Sequence, residues 1–113
     1  MLQRAALLCL VLVPLFATAP LLAADAPVEF RIVIKNHRFV PTELKVPAGK
    51  KIKLIVENQD PTPEEFESYS LNREKIVPGK GKITVMVGPL KPGKYEFFGE
   101  FNMDTALGAL IAQ

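Results

Sequence analysis

The chain predicts an all-β sandwich of about seven short strands. Three observations carry that reading: apolar and polar side chains alternate with period two, Pro and Gly punctuate the chain at short intervals, and no stretch keeps a helical apolar period. Nothing in the chain reads as an internal repeat, a low-complexity tract or an interdomain linker.

The order along the chain begins with a leader. Arg4 supplies a positive start, Ala5 to Phe16 is apolar apart from Cys9 and Pro14, and small residues follow, as in an export signal. The run is too short for a membrane span of about 20 residues, and Pro14 interrupts it. Ala17-Thr18-Ala19 and Ala24-Asp25-Ala26 both offer an Ala-x-Ala pattern, but Pro20 and Pro27 follow them directly and obstruct a peptidase. Cleavage after Ala24 is therefore expected, giving a signal peptide over 1–24 and one domain over 25–113, with a periplasmic location. Cys9 lies inside the apolar run with more apolar residues after it, so no lipid anchor is expected.

Val28, Phe30, Ile32 and Ile34 alternate with Glu29, Arg31, Val33 and Lys35, the pattern of a half-buried strand. Ile52, Leu54 and Val56 repeat it against Lys51, Lys53 and Glu57. The remaining strands are expected at Leu44–Val46, Glu65–Leu71, Lys82–Val87, Lys94–Phe98 and Ala109–Ala112. Asp60-Pro61-Thr62-Pro63-Glu64 is a stiff loop, since each proline fixes φ and removes a donor. Tyr69, Tyr95, Phe97, Phe98 and Phe101 read as sandwich packing and Met86 as a core residue of its strand. The lysines solvate strands and blunt sheet edges.

The domain is small enough to bury only about 60 to 65% of its unfolded surface. It contains no cysteine, so packing holds it rather than disulfides, and thiolate chemistry is excluded. A formal charge of +2 over the whole chain offers no attraction for nucleic acid. Neither a Gly-rich phosphate loop, a His-Glu-x-x-His helix, a Cys/His zinc spacing nor a nucleophile elbow is present.

What remains is metal chemistry. Glu65 and Glu67 stand two apart on an expected strand, so their side chains leave one face together. Carboxylates held side by side raise one another's pKa, and a cation relieves that repulsion. Glu57, Asp60, Glu64 and Glu74 fall in the same short interval. Glu100, Met103 and Asp104 lie in a C-terminal loop, and His37 is the only histidine. Carboxylates suit hard cations, Met103 offers a thioether for Cu(I), and imidazole suits copper, iron or zinc. The plainer readings stand beside these: a strand-end histidine bonded to a loop, a solvated outer face for the glutamates, loop packing for Met103 and a turn cap for Asp104.

Asn36-His37-Arg38-Phe39-Val40-Pro41, Leu44-Lys45-Val46-Pro47-Ala48-Gly49, Val56-Glu57-Asn58-Gln59-Asp60 and the loop from Tyr95 to Gly108 resemble a cupredoxin. Pro63-Glu64-Glu65-Phe66-Glu67-Ser68, Leu71-Asn72-Arg73-Glu74-Lys75 and Phe98-Gly99-Glu100-Phe101 are similar to the EfeO-type cupredoxin-like domain, in particular to small periplasmic proteins of FtrB type from ferrous-iron permease systems. The resemblance implies a Greek-key β-sandwich that binds copper and/or iron and assists Fe(II) uptake, with a ferroxidase-like oxidation to Fe(III) as the associated activity. It implies metal ligands among His37, Glu65, Glu67, Glu100, Met103 and Asp104, and a partner that is a membrane permease or a periplasmic iron-binding protein.

The same resemblance exposes departures. The blue-copper Cys position falls on Gly99, the following His on Asn102, the axial Met on Ala106, and the early His near Glu64 or Glu65, so a type 1 copper centre is not expected. Relatives of FtrB type often carry histidine where Tyr69 and Asn102 stand. Two other functions compatible with those departures are a metal-free module docking on the permease or iron-binding partner, and a copper carrier.

Overall fold

The computed structural model describes residues 2, 3, 5–17 and 26–113. Arg4 and the expected cleavage point after Ala24 lie outside the described residues. Residues 5–17 form no helix or strand, and among the described residues no helix is long and apolar enough to cross a membrane.

The described residues form nine strands: β1 (Val28–Lys35), β2 (Arg38–Val40), β3 (Glu43–Val46), β4 (Ile52–Asn58), β5 (Glu64–Ser68), β6 (Arg73–Val77), β7 (Lys82–Val87), β8 (Gly93–Gly99) and β9 (Leu107–Ala112), with one 3-10 turn at Glu100–Asn102. They make two sheets, ordered β2-β1-β4-β7 and β3-β9-β8-β5-β6. β1 runs parallel to β4 and β3 parallel to β9, while the other pairs are antiparallel, so the chain winds between the sheets instead of meandering within one.

The two strands beyond the expected seven have local causes. Asn36 and His37 both take positive φ (52° and 57°) and join Lys35 to its partner Arg38, the two-residue turn whose twist suits a hairpin. The strand that follows, β2, is only three residues long, too short to show an alternation. The expected strand Glu65–Leu71 instead stops at Ser68. There the Ser68 hydroxyl accepts the Leu71 N–H at 3.2 Å and donates to the Glu96 carbonyl at 2.6 Å, and Asn72 turns the chain with φ 53°. The chain comes back as β6 with Glu67 opposite Glu74.

The core fills from the alternation. Ile32 and Ile34 of β1, Ile52, Leu54 and Val56 of β4, and Ile83, Val85 and Val87 of β7 are buried. Opposite them lie Val46, Phe66, Val77, Phe97, Leu110 and Ala112 of the other sheet. Phe39, Phe66 and Phe97 meet at the centre, with Phe39 edge-on to Phe97 at 4.9 Å between ring centroids, a preferred aromatic geometry. Four side chains expected in the core are not there, Phe98 being half-buried on the outward phase of β8 beside Tyr69. Tyr69 sits in the β5–β6 turn and is 81% exposed, Phe101 lies in the 3-10 turn at 49%, and Met86 takes the outward phase of β7 at 41%.

Arg73 and Lys75 take the opposite phase of β6 from Glu74. Arg73 donates from Nε to the Met86 carbonyl at 2.9 Å and Lys75 from Nζ to that of Thr84 at 3.3 Å, so cationic side chains cover the open edge of β7.

Candidate metal centre

β5 presents two chemically opposite faces. Phe66 is fully buried, and the period of two puts Glu64 and Ser68 on its side and Glu65 and Glu67 on the other. The pairing of Glu67 with Glu74 places the Glu74 side chain on that second face. Glu100, first residue of the 3-10 turn after β8, completes a group in which one carboxylate oxygen from each of Glu65, Glu67, Glu74 and Glu100 lies within 4.8 Å of all the others. Oxygens on opposite sides of a hard cation lie about 4 to 5 Å apart at ordinary metal–oxygen distances, so the four can close on one ion with small side-chain movement.

Glu65 is the anomaly of the group. Only 7% of it is exposed, and its Oε1 is buried with no hydrogen-bond partner among the described residues. A buried unpaired carboxylate oxygen is costly, and a cation is one of the few groups that remove the cost. Sharing a proton with Glu74 pushes the Glu65 carboxyl up to about 7, with burial and the neighbouring Glu100 adding to the shift. Burial raises the Glu67 carboxyl too, helped by Glu100 and Glu74. Among the described residues no lysine, arginine or histidine forms an ion pair with any of the four; the pairs present are Arg31–Glu57 and His37–Asp60.

The structure therefore brings Glu65, Glu67 and Glu100 together and adds Glu74, a residue that sequence reasoning left among the surrounding acids. The signal that could have found it is the hairpin register, which depends on the Ser68–Asn72 turn. His37, Met103 and Asp104 are not members of this group. His37 is a turn residue. Its N–H donates to Asp60 Oδ2 at 2.9 Å, the Asn36 N–H donates to Asp60 Oδ1 at 2.8 Å, and its Nδ1 lies 3.8 Å from Asp60 Oδ2. These donors, first the His37 N–H and then that of Asn36, outweigh burial and hold the Asp60 carboxyl below its ordinary value. Thr105 ties the same turn to the C-terminal loop by donating to the His37 carbonyl at 2.6 Å. Met103 and Asp104 line an open groove with Arg38, Thr42, Phe98 and Leu107.

The inner face of β5 carries a second polar assembly. Glu64 is 1% exposed, and its Oε1 accepts the N–H groups of Glu65 (3.0 Å) and Phe101 (2.9 Å) while Oε2 accepts Asn102 Nδ2 at 2.6 Å. A Cβ on Gly99 would stand 2.6 Å from both Glu64 Cδ and the Ala106 Cβ. Gly99, Asn102 and Ala106, positions at which the cupredoxin resemblance places copper ligands, thus converge with Glu64, one of the two residues near which it places the early histidine, and the Glu64 carboxylate occupies the point where they meet. A blue-copper ion needs a thiolate and two imidazoles. These residues provide neither and do not fit one.

The fold is a small cupredoxin-like sandwich that groups four carboxylates on an outer sheet face and has neither sulfur nor imidazole at the interior point where its resemblance places copper ligands. The chain belongs to the Cupredoxin-like domain family, whose model matches residues 6–112. The Rickettsia prowazekii (strain Madrid E) protein RP394 is 53% identical over 87 residues, which cover 77% of this chain and 70% of that one. Among solved structures, auracyanin A, a blue copper protein of Chloroflexus aurantiacus, superposes with a TM-score of 0.67 at 15% identity, over 78% of this chain and 100% of that chain. The metal-binding domain of the Cu(I)-exporting P-type ATPase CopA of Streptococcus pneumoniae D39, solved with Cu(I), superposes with a TM-score of 0.63 at 15% identity, over 75% and 84% of the two chains. Such identities establish the fold alone.

Proposed function

We propose that the protein is a periplasmic iron-binding protein of the EfeO-type, FtrB-like kind that assists ferrous-iron uptake, holding iron at Glu65, Glu67, Glu74 and Glu100. The observation that carries this reading is the buried, unpartnered Oε1 of Glu65 at the middle of a four-carboxylate group. Hard oxygen donors favour Fe(III) over Fe(II) and both over Cu(I). Binding there makes loss of an electron easier, and a ferroxidase-like step with dioxygen as acceptor belongs to the same proposal. The export signal read in residues 1–24 supports the periplasm, and the open rim formed by Glu67, Glu74 and Glu100 supports hand-over to a membrane ferrous-iron permease or a periplasmic iron-binding partner. Copper at His37 and Met103 is favoured less, because the imidazole nitrogen nearest a carboxylate faces Asp60, outside the acidic group.

Metal content per chain after anaerobic equilibration with Fe(II) or Cu(II), followed by desalting, tests the reading. Stoichiometric iron is expected, lost in the variant carrying Glu65→Gln and Glu67→Gln. Copper retained in place of iron and lost in His37→Ala makes the protein a copper carrier, and no retained metal leaves the docking module. Fe(II) disappearance in air no faster than in buffer removes the oxidation step alone.

A further inference from the structure

We propose that Glu64, on the inner face of β5, is a positioning residue for the acidic centre: it sets the spacing between Glu65 and Glu100 while touching no ion itself. The inference rests on reading that centre as a metal site. Glu65 and Glu100 are 35 residues apart in sequence and come from different segments, a strand and a one-turn 3-10 helix. One oxygen, Glu64 Oε1, accepts the amide N–H of Glu65 and that of Phe101, and the latter belongs to the peptide link that leaves Glu100. The same atom therefore holds the backbone at both ligands. Oε2 then fixes the far end of the turn through Asn102.

Backbone bonds hold the far end of that turn, where the Asn102 carbonyl accepts the N–H groups of Thr105 (3.2 Å) and Ala106 (2.8 Å). At the near end none of its residues is buried and Gly99 offers no side-chain cap, so the bond from Phe101 to Glu64 is what ties the Glu100 peptide to β5. Gly99 is what lets the carboxylate approach, since a Cβ there would lie 2.8 Å from Oε1 as well as 2.6 Å from Cδ. All three partners of Glu64 are donors, the pattern that suits an acceptor-only carboxylate. A glutamine still accepts both backbone N–H groups through its amide oxygen, and Asn102, whose amide both donates and accepts, turns its Oδ1 to the introduced NH2. A methionine keeps the length of the side chain but leaves all three donors without an acceptor. The turn then shifts, and Glu100 leaves the spacing that the four oxygens share. Outer partners that orient metal ligands typically change affinity about 10- to 100-fold when altered.

The test is Mn(II) affinity of the protein, followed by electron paramagnetic resonance at a temperature well below unfolding, in wild type, Glu64→Met and Glu64→Gln. Glu64→Met removes the acceptor from all three donors, while Glu64→Gln keeps an oxygen for both backbone N–H groups and an NH2 for the turned Asn102 amide. Glu64→Met is expected to weaken Mn(II) binding about tenfold or more, and Glu64→Gln to retain most of the wild-type affinity. A purely structural Glu64 lowers the melting temperature and leaves the dissociation constant unchanged, so equal affinity of wild type and folded Glu64→Met overturns the proposal. Equal weakening in Glu64→Met and Glu64→Gln overturns it as well. Absence of Mn(II) binding by wild type overturns the metal-site reading itself. If circular dichroism shows Glu64→Met unfolded, Asn102→Ala takes its place; several-fold weaker binding is expected there, and unchanged binding overturns the proposal.

Discussion

Glu64 and Glu65 are adjacent glutamates, both more than nine-tenths buried, and they live in opposite chemical conditions. Glu64 points into the sandwich and meets three N–H donors. Glu65 points the other way into three more carboxylates, and one of its oxygens has no partner among the described residues. Burial by itself thus says little about a carboxylate's role. The number of donors around it separates a group that organises the fold from one whose charge the fold leaves unanswered.

The sharpest way to break the comparison is to remove each member in turn. Glu64→Ala takes the acceptor from the buried Glu65 N–H and from the part-buried Phe101 N–H and Asn102 amide, and should cost about 3 kcal/mol in denaturant unfolding. A loss below about 1 kcal/mol would mean that water replaces the carboxylate without penalty. Gly99→Ala should follow with about 1–3 kcal/mol, because the added methyl overlaps Glu64 and Ala106 in a packed interior.

Glu65→Gln should have the smallest effect and the opposite sign. The folded-state value of Glu65 is raised from 4.5 to about 7, so the folded protein binds the extra proton between those values. The resulting stability is fully present below pH 4.5 and is lost as pH rises through about 7. Melting temperatures of the metal-free protein are therefore expected to fall from pH 5 to pH 8. Glu65→Gln should flatten that slope, raising the melting temperature at pH 8 and leaving it nearly unchanged at pH 5. A slope that survives the substitution would place the shared proton elsewhere in the group.

The legible part of the fold is the part written in short-range alternation. β1, β4 and β7 follow directly from Ile32 and Ile34, Leu54 and Val56, and Val85 and Val87, because each has one buried and one wetter face. Glu65 and Glu67 were legible as a same-face pair for the same reason. Glu74 was not, since its place depends on Ser68 and Asn72 turning a stretch in which Tyr69 and Leu71 look like a strand continuing. Leu71 is indeed buried, but from the turn, and Tyr69 is in solvent. The turn position of His37 was hidden for a related reason. An Asn-His pair is a weaker hairpin signal than Asn-Gly, and the Asp60 carboxylate that steadies it lies 23 residues away. Glu100 entered through resemblance to a known loop, because nothing local announces that the residue after β8 will reach back to β5.

The phase of β6 has one more consequence. Arg73 and Lys75 flank Glu74 in sequence, yet both donate to carbonyls of β7, Arg73 also to those of Leu71 and Asn72. A slip of one residue in the pairing of β6 with β5 would exchange the faces of β6 and bring these two cations beside Glu67. The acidic face would then be neutralised from within, and no external ion would be needed. Whether this surface gathers cations from the medium or forms a closed set of internal ion pairs is therefore decided by the alignment of a single five-residue strand.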